Sequence, residues 1–170
     1  MPVMRRPMPD LSHVDSDGNV RMVDVGAKQL TARLATAEAV VRFSDPATLE
    51  LLRSGDAAKG DVLATVRIAG VMAAKRTSEL IPLCHPIALD HASIDIELDD
   101  GLPGMRLLAT ASCRATTGVE MEALTAVSVA ALTVIDMLKS ADRWISVESI
   151  RLREKSGGRH GRLLRPGLDG

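Results

Sequence analysis

Aromatic residues are almost absent from this chain: Phe43 and Trp144 are the only two in 170 residues, and tyrosine is missing altogether. Any core must therefore be aliphatic, and there is no set of rings on which nucleic-acid bases could stack. Basic excess is missing too, since the net charge is −1, so a phosphate backbone would meet no counter-charge. Both absences exclude nucleic-acid binding as a function class. The only cysteines, Cys84 and Cys113, are far apart and outside any CxxC pattern, which excludes a disulfide framework or a zinc knuckle. Four histidines occur without HxxH or HExxH spacing, so no metal site is expected. Asp136 interrupts the longest apolar run, leaving no membrane span, and MPVMRRPMPD lacks the apolar stretch of a signal peptide. A cytoplasmic location is the expectation. Lysine is scarce as well: 16 of the 21 basic residues are Arg, and only Lys28, Lys59, Lys75, Lys139 and Lys155 are Lys. Arg stays protonated in a protein, whereas Lys can be tuned to exchange protons. These five positions are therefore worth following, although a few surface lysines would explain them as simply.

What is present fits one globular domain, with 46% hydrophobic and 25% charged residues. Residues 1–20, rich in Pro, Asp and Ser, are expected to form a flexible N-terminal arm. A single domain over 21–158 and a Gly-rich flexible tail over 159–170 follow. VRMVDV at 20–25 reads as a short strand. Ala35 to Phe43 alternates as another, and Ser44-Asp45-Pro46 starts a short helix to about Arg53. Residues 61–80 open on an acidic cap and read as a helix, with Gly70 as a point of close packing. Pro82 and Pro86 prevent it from continuing. ASIDIEL at 92–98 alternates cleanly, with Ile94, Ile96 and Leu98 inward and Asp95 and Glu97 outward. A turn at 99–104 leads to a strand over about 105–116, then a helix over 118–139 and a last strand over 144–154. Strand, helix, strand, strand, helix, strand is the ferredoxin-like βαββαβ pattern. It predicts an α+β fold, an antiparallel sheet with helices on one face, here with an extra short helix and the N-terminal arm.

The chemistry-bearing residues concentrate in a few segments. GVEMEALTAVSVAALTVIDMLK at 118–139 holds Glu120, Glu122, Asp136 and Lys139 against an apolar helix. Titratable groups on such an element are costly unless paired or used. An ordinary helix with Glu near its positive end and Lys near its negative end accounts for them equally well. Asp136 and Lys139 share a face. Glu122 and Asp136 also face the same way, about 320° of rotation apart, but are separated by roughly 21 Å along the axis. If both ends are functional, a second subunit must bring one to the other, which predicts an oligomer with sites at subunit interfaces. LCHP holds His85 on a restricted loop between two prolines, suited to proton transfer or phosphate bonding, or simply to satisfying a turn. KSGG at 155–158 offers backbone N–H groups for an anion, or is only a linker.

KGDV at 59–62, AAKRTSELIPLCHP at 73–86, TGVEMEALTAVSVAALTVIDMLK at 117–139 and IRLREKSGG at 150–158 together resemble one family. That family is molybdenum cofactor biosynthesis protein C, the cyclic pyranopterin monophosphate synthases, and the resemblance covers about residues 11–160. It implies a diphosphate-releasing lyase. Such enzymes convert 3′,8-cyclised dihydroguanosine triphosphate, a small-molecule substrate, into cyclic pyranopterin monophosphate, an early step of molybdenum cofactor biosynthesis. It also implies a homohexamer, a trimer of dimers, with sites between subunits. Carried over by motif, Asp136, Lys59 and Lys139 match catalytic positions. Leu83, Cys84, His85, Met121, Glu122 and Lys155 match substrate-binding positions. No cofactor is required by the sequence. A magnesium ion would suit the triphosphate, but no carboxylate cluster fixes its place. Trp144 and the Arg-rich end, Arg159 to Arg165, depart from the family pattern outside the matched motifs. Against this stand a non-catalytic oligomeric nucleotide-binding module, which would not need lysines at 59 and 139, and a cyclohydrolase-like enzyme, which would need His/Cys metal ligands.

Overall fold

A computed structural model describes residues 18–158 and 161–167. Along the chain run β1 (Thr31–Arg42), α1 (Ala47–Ser54), α2 (Val62–Lys75), α3 (Thr77–Leu80), β2 (His91–Asp99), β3 (Gly104–Ala115), α4 (Glu120–Leu138), β4 (Ser146–Ser156) and β5 (Leu163–Leu164). The strands form one sheet in the order β2-β3-β1-β4-β5, every pairing antiparallel. With β1, α2, β2, β3, α4 and β4 as the core, this is the expected α+β, ferredoxin-like arrangement, and α1 is the extra short helix.

Small side chains decide how closely the helices approach the sheet. On β1, Ala35, Ala37 and Ala39 face the core, opposite Ala111, Ala109 and Leu107 of β3. This floor of methyl groups lets α4 lie close, through Ala123, Val127, Ala130, Ala131 and Val134. Gly70 serves the same end on α2: a Cβ there would come within 2.6 Å of the Ile94 side chain and 3.2 Å of the Ala126 carbonyl. Phe43 is the one aromatic in an otherwise aliphatic core. The opposite face of the sheet carries charged groups. There Glu38, buried on β1, accepts hydrogen bonds from Arg151 (Nε, 2.8 Å) and Arg153 (Nη1, 3.0 Å) of β4.

Several boundaries differ from expectation, each for a physical reason. No strand forms over 20–25 beyond a single bridge at Val20. Its backbone oxygens go elsewhere, Val23 to His85 and Val25 to the Lys28 amide. The helix expected over 61–80 begins on cue, with Asp61 Oδ1 accepting from the Ala64 amide at 2.9 Å. It then breaks at Arg76, where the Thr77 hydroxyl takes the Ala74 carbonyl at 3.0 Å. In the expected flexible tail, Leu163 and Leu164 pair with Lys155 and Glu154, and Arg162 forms an ion pair with Glu154 at 2.8 Å. The N-terminal arm up to residue 17 lies outside the described residues. Helix α4 is long and apolar enough to cross a membrane by length and composition, but it is a core helix packed on the sheet.

Candidate active site

The first half of the site lies where β3 leads into α4. Here the LCHP loop, the start of α4 and the segment before β1 enclose a cavity of about 400 Å³. Leu83, Cys84, His85, Met121 and Glu122 all line it. Pro82 and Pro86 keep the loop from joining α3, so His85 is aimed by backbone geometry. Its Nε2 lies 2.8 Å from the Val23 carbonyl oxygen and donates to it. Glu122 is only 3% exposed. Burial, and then the neighbouring Glu120 charge, push its carboxyl above the ordinary range against a hydrogen bond from its own amide. Burial, and then Glu122, also raise the Cys84 thiol, so it is poorly suited to act as a thiolate nucleophile.

A second cavity of about 280 Å³ adjoins the first, sharing Lys28, Thr117, Gly118 and Glu120 with it. Lys155 stands here, its Nζ donating to Glu120 Oε1 at 2.6 Å, with Lys28 and Arg33 on the same walls. Three cations against one carboxylate give this cavity a positive balance that suits an anion. The glycines of KSGG are set by shape: Gly157 and Gly158 have φ of 98° and 73°. A Cβ on Gly158 would lie 2.1 Å from Arg33 Nη1. The strand thus ends in a turn that only glycine allows against Arg33, whose guanidinium also donates to the Ala115 and Thr116 carbonyls. Lys28 and Arg33 were not among the residues expected from the sequence. The lysine scarcity pointed at Lys28, while Arg33 belongs to no motif and meets its neighbours only through the fold.

The second half lies at the far end of α4. Lys139 Nζ donates to Asp136 Oδ1 at 2.7 Å. Lys59, carried on the loop between α1 and α2, donates to the Asp136 carbonyl oxygen at 2.5 Å and to its Oδ2 at 3.3 Å. Gly60, with φ of 88°, turns this loop back toward the Asp61 cap of α2. The hydrogen bonds from Lys139 and then Lys59 hold the Asp136 carboxyl below the ordinary range and favour its ionised form. Of the three residues expected to be catalytic, both lysines therefore meet at Asp136, at the opposite end of a 19-residue helix from the cavity. That span is roughly 20 Å or more from the cavity mouth.

The MoaC family model matches residues 22–158, which contain both clusters. The chain belongs to the MoaC family. Among its relatives, a protein of Methylobacterium nodulans named cyclic pyranopterin monophosphate synthase is 58% identical over 154 residues, 91% of this chain and 96% of that protein. One of the same name from Brucella ovis is 56% identical over 151 residues, 89% of this chain and 91% of that protein. The MoaC match thus covers β1 to β4, the cavity and the lysine–aspartate cluster together.

Proposed function

We propose that this MoaC-family protein is a cyclic pyranopterin monophosphate synthase. It would convert 3′,8-cyclised dihydroguanosine triphosphate into cyclic pyranopterin monophosphate and diphosphate in the cytoplasm. The observation that carries this reading is the pairing of a base-sized cavity and cationic annex with a contacting Lys59–Asp136–Lys139 cluster, within a chain 58% identical to a synthase. In this reading Glu122 meets the guanine-derived N–H groups, beside Leu83, Cys84 and Met121. Lys155, Lys28, Arg33 and His85 hold the triphosphate and stabilise the departing diphosphate. Asp136 accepts a proton from the reacting ring system, and Lys139 and Lys59 return it or neutralise developing charge. Among the described residues no group of His, Cys, Asp or Glu converges as a metal site.

Because the two halves stand too far apart to act on one substrate, the working site joins the cavity of one subunit to the lysine–aspartate cluster of another. The exposed Ile68 and Met72 of α2 and Leu132 of α4 leave apolar surface on the helical layer for such a copy, in keeping with a hexamer built as a trimer of dimers. Purified protein given the cyclised triphosphate should release one diphosphate per pterin formed, and its mass by light scattering should be six times that of the chain. Absence of diphosphate release with a folded protein would refute the synthase reading.

A further inference from the structure

We propose that Asp142 is a positioning residue whose buried carboxylate, hydrogen-bonded from both the start of α1 and the turn after α4, holds Lys59 at Asp136. Asp142 is 3% exposed and follows α4 by four residues. Its backbone amide returns to the Leu138 carbonyl at 2.9 Å, which fixes the turn that carries Lys139. Its carboxylate accepts five hydrogen bonds. Oδ2 takes the Ser44 amide at 2.8 Å, the Asp45 amide at 3.1 Å and the Thr48 hydroxyl at 3.3 Å. Oδ1 takes the Ser44 hydroxyl and the Trp144 amide, the latter at 3.2 Å. Four of these donors belong to the residues that launch α1, and α1 leads into the Gly55–Gly60 loop that presents Lys59.

The Lys59–Asp136 contact cannot do this work itself. Both side chains are largely exposed, and an exposed ion pair gains little once solvent screening and side-chain entropy are counted. At the other end of α1, the Arg53–Asp100 pair is exposed as well. Asp142 is the buried polar link between the two segments whose lysines meet Asp136. All five of its partners are donors, so an acceptor-only carboxylate fits where a carboxamide does not. Burial works against its charge, but the hydrogen bonds from Ser44, Asp45 and Trp144 outweigh it and keep the carboxyl below the ordinary range.

The test compares the full-length protein with Asp142→Asn by trace labelling of amines with acetic anhydride, read by mass spectrometry. Lys59 should become severalfold more reactive in the variant, while Lys155, held by Glu120, stays unchanged. With the cyclised triphosphate, kcat should fall about 10–100-fold with little change in KM, as expected when a reacting group is displaced and binding is not. A lower melting temperature with Lys59 reactivity and kcat both unchanged would overturn the proposal and leave Asp142 a purely structural residue. If Asp142→Asn does not fold, Ser44→Ala and Thr48→Val each remove a single hydroxyl donor. Both should shift Lys59 reactivity in the same direction by less, and no shift in either would overturn the proposal equally. The kcat arm rests on the proposed synthase activity whereas the labelling arm does not, so an inactive wild-type protein would refute the function alone.

Discussion

Replacing Glu122 by Gln should make the protein more stable at neutral pH and less active, and the two effects have one cause. Glu122 is 3% exposed, and its carboxyl accepts a hydrogen bond from its own amide and has Glu120 two residues away. Burial raises its folded pKa above the unfolded value. For a carboxyl the sign then runs against the usual case: the folded state holds its proton more tightly, so stability falls as pH rises from the unfolded pKa through the folded one. An uncompensated buried polar group costs about 1–3 kcal/mol, more if charged, and the Gln amide recovers only part of this. A net gain of about 1 kcal/mol at pH 7 would raise the melting temperature by about 2–4 °C for a chain of this size. The assay is thermal unfolding of both proteins between pH 4 and pH 8 at one fixed protein concentration, since assembly makes the midpoint concentration-dependent. Wild type should lose stability relative to Glu122→Gln as pH rises, and the curves should converge at acid pH. Turnover should fall about 10–100-fold with the loss of a charge-assisted hydrogen bond to substrate. A variant less stable than wild type at pH 7, or parallel pH curves, would refute the burial argument.

Lys59→Ala and Lys139→Ala should each abolish diphosphate release while moving the melting temperature by less than about 2 °C, because both lysines sit in exposed pairs; wild-type turnover in either would remove that lysine from the mechanism. The acidic limb of the wild-type pH–rate profile should lie below the ordinary Asp range, since Asp136 is held ionised, and a conservative Lys139→Gln variant with residual turnover should move that limb upward. Gly158→Ala forces a side chain into φ of 73° against Arg33. It should cost about 1–2 kcal/mol in a denaturant titration and raise KM for the triphosphate more than it lowers kcat.

The legible parts of the fold are those decided by neighbours in sequence. The alternation of Ile94, Asp95, Ile96 and Glu97 set β2, and the apolar spacing through Val127, Ala131 and Val134 set α4. Spacing along α4 was also enough to separate Glu122 from Asp136. What escaped is non-local. The 20–25 segment alternates like a strand, yet its carbonyl oxygens are claimed by His85 and by a turn. Leu163 and Leu164 look like tail residues until β4 offers its free edge. Arg33 reaches the site by crossing to Thr116 and Gly158, a contact no spacing rule contains. Motif resemblance set Lys59 and Asp136 among the catalytic positions, but that they touch across 77 positions, and that Asp142 joins their two segments, came only from the fold.

Trp144 is 78% exposed, its amide is anchored to Asp142, and no tyrosine accompanies it anywhere in the chain. Ultraviolet emission excited beyond the phenylalanine band therefore has a single source, mounted on the turn that follows Lys139. In water that indole should emit at long wavelength, and anything that settles over the Asp136 end of α4 should blue-shift it. Nature has left a built-in optical gauge at one half of the site and none at the other. Arrival of a neighbouring subunit or of substrate there can be timed by stopped flow without attaching a dye.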